Sequence, residues 1–270
     1  MTLDTLMHGD GIVAVQTQRG KVKANDAYSQ WNLCDYTGDD ALRVLDARVH
    51  LCQQLGIDLD HLVMPRQTHS TNIKVIDQDF IDASIEAQDQ MLEGVDALVT
   101  ELPGLCIGVN TADCVPIALA DSKNGVIAIA HAGWRGTVAR IAQKTVEAMC
   151  QLGADATSIH ATMGASICQE CFEVGDEVAR EFEQAGFDMS LIMKRNAATG
   201  KAHINLQEAN CQVLIAAGVP IHNIALPEHC SRCEHHRYFS ARRLGINSGR
   251  TFTGIIQRIS NNLLVFKENN

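Results

Sequence analysis

The segment PIALADSKNGVIAIAH, residues 116–131, constrains the fold more than any other stretch of this chain. Two apolar runs of strand length, PIALAD and VIAIAH, are separated only by SKNG, and an Asn-Gly step between such runs is a strong signal for a tight antiparallel hairpin. A two-residue turn at Lys123-Asn124 sets Pro116 opposite His131, whereas a turn at Asn124-Gly125 sets Ala118 there. In either register the partner of His131 is an even-numbered residue, as Cys114 is, and residues two apart on a strand share a face. Cys114 and His131 are therefore expected to project the same way at the open end of the hairpin.

The elements around the hairpin narrow the architecture. Further strands are expected at GIVAVQ (11–16), NIKVID (72–77), DALVTE (96–101), LCIGVN (105–110), SIHATMG (158–164) and TFTGIIQRI (251–259). Helical spacing marks 39–56, where Leu42, Leu45, Val49, Leu51 and Leu55 recur before Gly56, and also 136–153, 175–186 and 204–218. Strands crowd 95–131 without helices between them, while helices flank that block. This favours an α+β or layered sandwich over a regular βαβ series. No repeat, low-complexity tract or Ser/Pro-rich linker interrupts the chain, so a single domain over 1–270 is expected.

Composition removes several classes of function. A formal net charge of -10 opposes nonspecific binding to a phosphate backbone, so nucleic acid is not an expected partner. The N-terminus, MTLDTLMHGDGIVAVQ, has an acid where an export signal would be cationic. The uncharged stretch ANCQVLIAAGVPIHNIALP (209–227) is broken by polar residues, a glycine and two prolines. It reads as a helix, a Gly-Val-Pro turn and a short strand, and no membrane association is expected. The 10 cysteines sit in a long chain without an export signal, so they are read as reduced and the expected location is the cytoplasm.

A thiol beside an imidazole offers two chemistries: a thiolate activated by histidine, or two ligands for a metal such as zinc. Asp113 precedes the cysteine and Arg135 follows the histidine. Gly133 and Gly136 let backbone approach a ligand, and a helix starting near Gly136 would favour an anion. RQTHS (66–70) supplies His69 as a candidate for a third ligand. Three protein ligands with one open position is the arrangement of catalytic zinc.

QTHS, TADCVPI and HAGWRG, with MGASICQECFEVGDEV, INLQEAN and YFSARRLGINSGRTFTGI, resemble the YfiH-like family. Its members are variously described as laccase-domain or polyphenol oxidase proteins, peptidoglycan editing factors and purine nucleoside phosphorylases. Weaker matches at AYSQWNL and TGDD extend the resemblance over nearly the whole chain. It implies a one-domain layered α-β-β-α fold with a catalytic zinc held by His69, Cys114 and His131. It also implies an enzyme of purine nucleosides: phosphorolysis of adenosine, inosine, guanosine and S-methyl-5'-thioadenosine with inorganic phosphate, and deamination of adenosine.

Phosphorolysis needs an anion site. Arg135 is the first candidate, with Arg19, Arg66, Arg242 and Arg243 as others, because a guanidinium fork matches phosphate oxygens. Deamination by zinc needs a proton shuttle that is not a ligand, and Glu173 in CFEVG is the candidate. Cu(2+) competes well for such donors, so polyphenol oxidation is a conceivable side activity. Multicopper chemistry, however, uses many histidines and His-x-His pairs, and this chain has no such pair.

Two CxxC pairs, Cys168/Cys171 and Cys230/Cys233, stand 58 residues apart, longer than ribbon or finger spacing. Only Cys230 has a counterpart in the family pattern, so Cys168, Cys171 and Cys233 are not expected to be ligands. His235 and His236 read as solvated loop residues. SARRLGINSGR departs from the pattern of many relatives, which carry Tyr before the two arginines and Asp-Gly after them. The competing function is a cysteine hydrolase or amidase acting on peptidoglycan precursors, with Cys114 as nucleophile and His131 as base. A non-catalytic metal-dependent partner of cell-wall or division proteins is a third reading. Trp134 either stacks on a base or caps the core.

Overall fold

The computed structural model describes residues 1–23 and 25–258. The hairpin β1 (Leu3–Gly9) and β2 (Ile12–Thr17) is followed by α1 (Ala41–Leu55) and the short strands β3 (Leu62–Val63) and β4 (Ile73–Val75). Helices α2 (Gln78–Ile81) and α3 (Ile85–Leu92) lead into β5 (Ala97–Thr100), β6 (Cys106–Thr111), β7 (Val115–Asp121) and β8 (Val126–Ala132). Then come α4 (Trp134–Val138), α5 (Ile141–Gln151), β9 (His160–Met163), β10 (Glu173–Val174), α6 (Asp176–Gln184) and α7 (Met189–Ile192). The remaining described elements are β11 (Met193–Arg195), β12 (Ala202–Ile204), α8 (Leu206–Ala216), β13 (Ile224–Ala225), α9 (Ala241–Leu244) and β14 (Thr251–Gln257).

Two sheets dominate. One has five strands in the order β1-β2-β14-β6-β3, and the other six in the order β13-β9-β7-β8-β5-β4; a small sheet, β10-β12-β11, stands apart. Side-chain alternation shows how they stack. In β7, Ile117 and Leu119 pack on one side with Ile141 and Val146 of α5, while Ala118 and Ala120 face the other side. There they meet Ile127 and Ile129 of β8, and Ile12, Ile107, Val109 and Ile255 of the opposing sheet. On the far side of the five-stranded sheet, Val13, Val15 and Phe252 pack on Ala47, Leu51 and Leu55 of α1. The order is helix, sheet, sheet, helix, the α+β layered arrangement expected. Covering on both faces is why the strand runs are apolar at successive positions rather than alternating.

The central hairpin pairs Pro116 with His131 and Asp121 with Val126, the first of the two registers anticipated. Its connection differs from a two-residue Asn-Gly turn, because residues 122–125 form a four-residue loop around buried Asp121. That carboxylate accepts the backbone N–H groups of Lys123, Asn124 and Asp155 and the Asn124 side-chain amide. Only Gly125 takes the left-handed conformation, at φ 70°.

Two helical expectations need correction. Helix α1 buries Val44, Ala47, Leu51, Cys52 and Leu55, and Leu42, Leu45 and Val49 are exposed, so the core-facing stripe is rotated from the one read in the sequence. The helix expected over 136–153 is two helices, with Arg140 at φ 64° between them. The break is held by the Arg140 guanidinium, which lies 4.2 Å over the Phe187 ring and donates to the Ala185 carbonyl. Residues 209–227 form the end of α8, a turn and β13 as expected, and no described helix is long and apolar enough to cross a membrane. Strand β14 ends at Gln257, and Ile259 of the expected TFTGIIQRI strand lies outside the described residues. Strand β1 went unanticipated because LDTLMHG lacks an alternating pattern.

Candidate metal centre

The site forms where three chain segments meet at the open end of the β7–β8 hairpin. Cys114 immediately precedes β7, on a turn in which Asp113 adopts φ 89°. That uncommon conformation is tied down on both sides: the Asp113 carboxylate accepts Ser231 Oγ at 2.7 Å and the Arg242 backbone N–H at 2.7 Å, and its carbonyl accepts Ile167 N–H. His131 shares its face of β8 with Ile127 and Ile129, the side turned to the opposing sheet, and is only 4% exposed. His69 comes from the loop before β4 and also has positive φ, 62°.

Asp96, just before β5 and fully buried, organises both histidines. Its carboxylate accepts three successive backbone N–H groups, from Thr68 and His69 at 3.1 Å and Ser70 at 2.7 Å, forming a nest that fixes the His69 loop. The same carboxylate lies 2.7 Å from His131 Nδ1. Burial opposes ionisation of Asp96, but the hydrogen bond and charge of His131, with Ser70, outweigh it and hold the carboxyl below the usual carboxylate range. With Nδ1–H donated to Asp96, His131 has Nε2 left as its ligand atom, the arrangement that orients metal-binding histidines.

The ligand atoms of His69, Cys114 and His131 lie within 4.8 Å of one another. Cys114 Sγ is 3.7 Å from His69 Nε2, and the two imidazole centroids are 4.8 Å apart. Burial raises the Cys114 pKa, yet the charge and hydrogen bond of His131, helped by His69, bring it down to about 6. Conversely, burial works against the His131 imidazolium, but Cys114 and Asp96 push its pKa up to about 9. Such a pair of soft thiolate and borderline nitrogen donors suits zinc. The backbone leaves room for it: a Cβ on Gly133 would fall 2.8 Å from His69 Cδ2 and 3.0 Å from Cys114 Sγ. Gly133 has φ -70°, so space rather than backbone conformation requires glycine here.

The expected anion and proton groups divide. Arg135 is exposed and stacks 4.3 Å over Trp134, which is half-buried against the helix-side core. Trp134 thus caps the core, and α4, of only five residues, starts at Trp134 rather than near Gly136. Arg242 lies beside the site through Asp113; its guanidinium donates to the Glu173 carbonyl and sits over Phe172. Arg243 is exposed on the same short helix. Arg19 does not fit the anion role: it is 1% exposed and spends its N–H groups on Ser29 Oγ and the His235 carbonyl. Arg66 is an exposed partner of Glu93 and of the Tyr36 ring. Glu173 is bound to Lys201 at 2.9 Å, and that bond holds its carboxyl below the usual range, which does not suit a group that must carry a proton.

The cysteine pairs give the largest departure from expectation. Cys168, Cys171, Cys230 and Cys233 converge, with all four sulfurs within 4.8 Å of one another. Among the described residues, the only other grouping of potential ligands is the exposed set Asp58, Asp60 and His61. No described grouping holds the several histidines of a multicopper centre. Asp96 is the residue of the candidate site that sequence reasoning missed. Its signal was an acid at the mouth of a strand, ALVT, that is buried throughout.

The family model described as multi-copper polyphenol oxidoreductase laccase matches residues 13–258. The chain is 62% identical over 256 residues to a protein named adenosine deaminase RL5, from an unknown prokaryotic organism, covering 95% of this chain and 98% of that one. It is 42% identical over 243 residues to a purine nucleoside phosphorylase of Bacteroides thetaiotaomicron, covering 90% of each. In fold it is similar to YlmD of Geobacillus stearothermophilus, with a TM-score of 0.83 and 31% identity over 92% of this chain and 93% of that one.

Proposed function

This chain belongs to the laccase-domain family, in which YfiH- and YlmD-like proteins share the fold, and from that premise we propose that it is a zinc-dependent enzyme of purine nucleosides. The observation that carries the proposal is the cluster of His69, Cys114 and His131 anchored by Asp96. Relatives named adenosine deaminase and purine nucleoside phosphorylase, each covering most of the chain, supply the substrate class. The reactions are phosphorolysis of adenosine, inosine, guanosine and S-methyl-5'-thioadenosine, and deamination of adenosine. In the first, the bond from C1' to the purine nitrogen breaks and one to a phosphate oxygen forms. In the second, water oxygen replaces the C6 amine and ammonia leaves.

A zinc ion supplies Lewis acidity, and with it a nucleophile at neutral pH. The chain's own residues supply the rest. His69 and Cys114 are held by two strained, hydrogen-bonded turns, and Asp96 fixes the His131 tautomer, so the three donors need little reorganisation on binding. Arg242, whose backbone N–H docks on Asp113, its neighbour Arg243 on the same short helix, and Arg135 after Gly133 provide the cationic edge for inorganic phosphate. Ten unpaired cysteines suit a reducing compartment, and we assign the activity to the cytoplasm as a single domain.

The test is incubation of metal-reconstituted protein with adenosine or inosine, with and without phosphate, resolved by chromatography. Free base with ribose 1-phosphate, and inosine from adenosine without phosphate, are the expected products. Full activity in Cys114→Ala would refute the site. A second reading draws on the thiolate–imidazolium character of Cys114 and His131, which also fits a cysteine hydrolase or amidase of peptidoglycan precursors. It predicts activity without metal, inert nucleosides and rapid covalent capture of Cys114 by amide-like electrophiles. Copper occupying the same donors would give polyphenol oxidation only in copper-loaded protein.

A further inference from the structure

We infer that Cys168, Cys171, Cys230 and Cys233 form a second metal site, a closed tetrathiolate that takes zinc and braces the substrate-side loops. The four sulfurs form a compact cage. They lie within 4.8 Å of one another, and Cys171 Sγ and Cys233 Sγ are 3.4 Å apart. Four thiolates at 2.3 Å around a tetrahedral ion stand about 3.8 Å apart, so the cage is the size of a single ion. Sulfurs binding a polynuclear iron–sulfur cluster would have to stand farther apart.

The backbone around the sulfurs is built like two zinc knuckles. Cys168 caps and Cys171 ends a turn of 3-10 helix, Gln169–Cys171, and Cys230 to Cys233 lie on a second turn. The N–H groups of Cys168 and Cys233 point at Cys230 Sγ, at 3.3 and 3.5 Å. The Arg232 guanidinium lies 3.3 Å from Cys171 Sγ, where a cation would offset part of the charge of four thiolates. These groups are the outer donors that a thiolate site needs.

Tertiary structure also removes the spacing objection. A parallel bridge joins Ser166 to Cys230, with Ser166 N–H on the His229 carbonyl and Ser231 N–H on the Ser166 carbonyl. The long separation in sequence thus closes on neighbouring segments. Both continue into the candidate active site. From one, Phe172 and the Glu173 carbonyl contact Arg242; from the other, Ser231 Oγ and the Arg242 N–H hold Asp113, next to Cys114. A metal tying the two turns together fixes the position of Arg242 relative to Asp113. This site has no open position, since all four ligands are protein sulfurs, so its role is structural.

The test counts metal by elemental analysis in protein purified without chelator. Wild type should carry about two zinc per chain, Cys114→Ala about one, and Cys168→Ser/Cys230→Ser about one. Should the double variant fail to fold, cobalt substitution of Cys114→Ala decides instead. The expected spectrum has intense visible bands and a near-ultraviolet sulfur-to-cobalt absorption of tetrahedral thiolate coordination. Cys114→Ala carrying no metal, a Cys171–Cys233 disulfide in anaerobically purified protein, or iron in place of zinc would each overturn the inference.

Discussion

Asp96 Oδ1 and His131 Nδ1 meet at 2.7 Å inside the protein, and the same carboxylate gathers the backbone of Thr68, His69 and Ser70. One side chain therefore sets the orientation of one candidate ligand and the loop that carries another. The consequences can be measured.

Asp96→Asn should weaken metal binding roughly 10–100-fold, the usual effect of removing such an outer partner. An amide offers one acceptor oxygen, whereas both carboxylate oxygens are used here. Competition against a chromophoric chelator measures this directly. Unchanged affinity would mean that the Asp96 contact does not prepare the site.

Gly133→Ala should empty the His69–Cys114–His131 site while leaving the fold standing. The backbone there accepts any L-residue, but the new methyl would lie 2.8 Å from His69 and 3.0 Å from Cys114. Metal content should fall by the share of this site, with a melting transition that stays cooperative. A fully loaded variant would show that the three donors sit farther from the backbone than described.

Metal-free protein should show the pH signature of the thiolate–imidazolium pair. Alkylation of Cys114, followed by mass spectrometry, should hold its rate down to about pH 6 and decline below it, far under the ordinary thiol value of 9.0. For stability the signs are opposite for the two partners. The depressed Cys114 pKa contributes stability that is present above 9.0 and lost as pH falls through about 6. The raised His131 pKa contributes stability present below 6.5 and lost as pH rises through about 9. Between about pH 6.5 and 9 the two contributions change in opposite directions and offset one another, so the stability of the metal-free form should vary little with pH there, and a midpoint of alkylation near 9 would contradict the geometry.

The arginines should separate into two classes. Arg243→Gln and Arg135→Gln should raise the phosphate KM several-fold with little change in the denaturation midpoint, because both side chains are exposed. Arg19→Ala should do the reverse. It strands Ser29 Oγ and the His235 carbonyl inside the protein, at about 1–3 kcal/mol for each unsatisfied group. Phosphate KM and urea midpoint, measured on the same preparations, test both halves.

Much was legible in local pattern. The apolar runs and the SKNG step specified the hairpin and left two registers open, both of which place Cys114 and His131 on one face; the structure adopts the one that pairs Pro116 with His131. The triad was accessible to sequence reasoning for that reason, with His69 added through the family resemblance. What stayed illegible depends on groups distant in the chain. Asp96 reads as an ordinary strand-edge acid until His131 stands 2.7 Å away, and Arg19 reads as a surface charge until Ser29 and the His235 carbonyl enclose it.

The two cysteine pairs mark the boundary most clearly. Their local CxxC spacing was written in the sequence, but their convergence was not, since it requires the Ser166–Cys230 bridge to bring two turns together. The sequence by itself determined the central strands, the four longest helices and the shared face of Cys114 and His131, because backbone periodicity acts over a few residues. Only the tertiary structure decided which stripe of α1 is buried, where the helix after His131 breaks, and which charges and thiols meet. Packing and desolvation make those choices, and they act between residues that the chain keeps far apart.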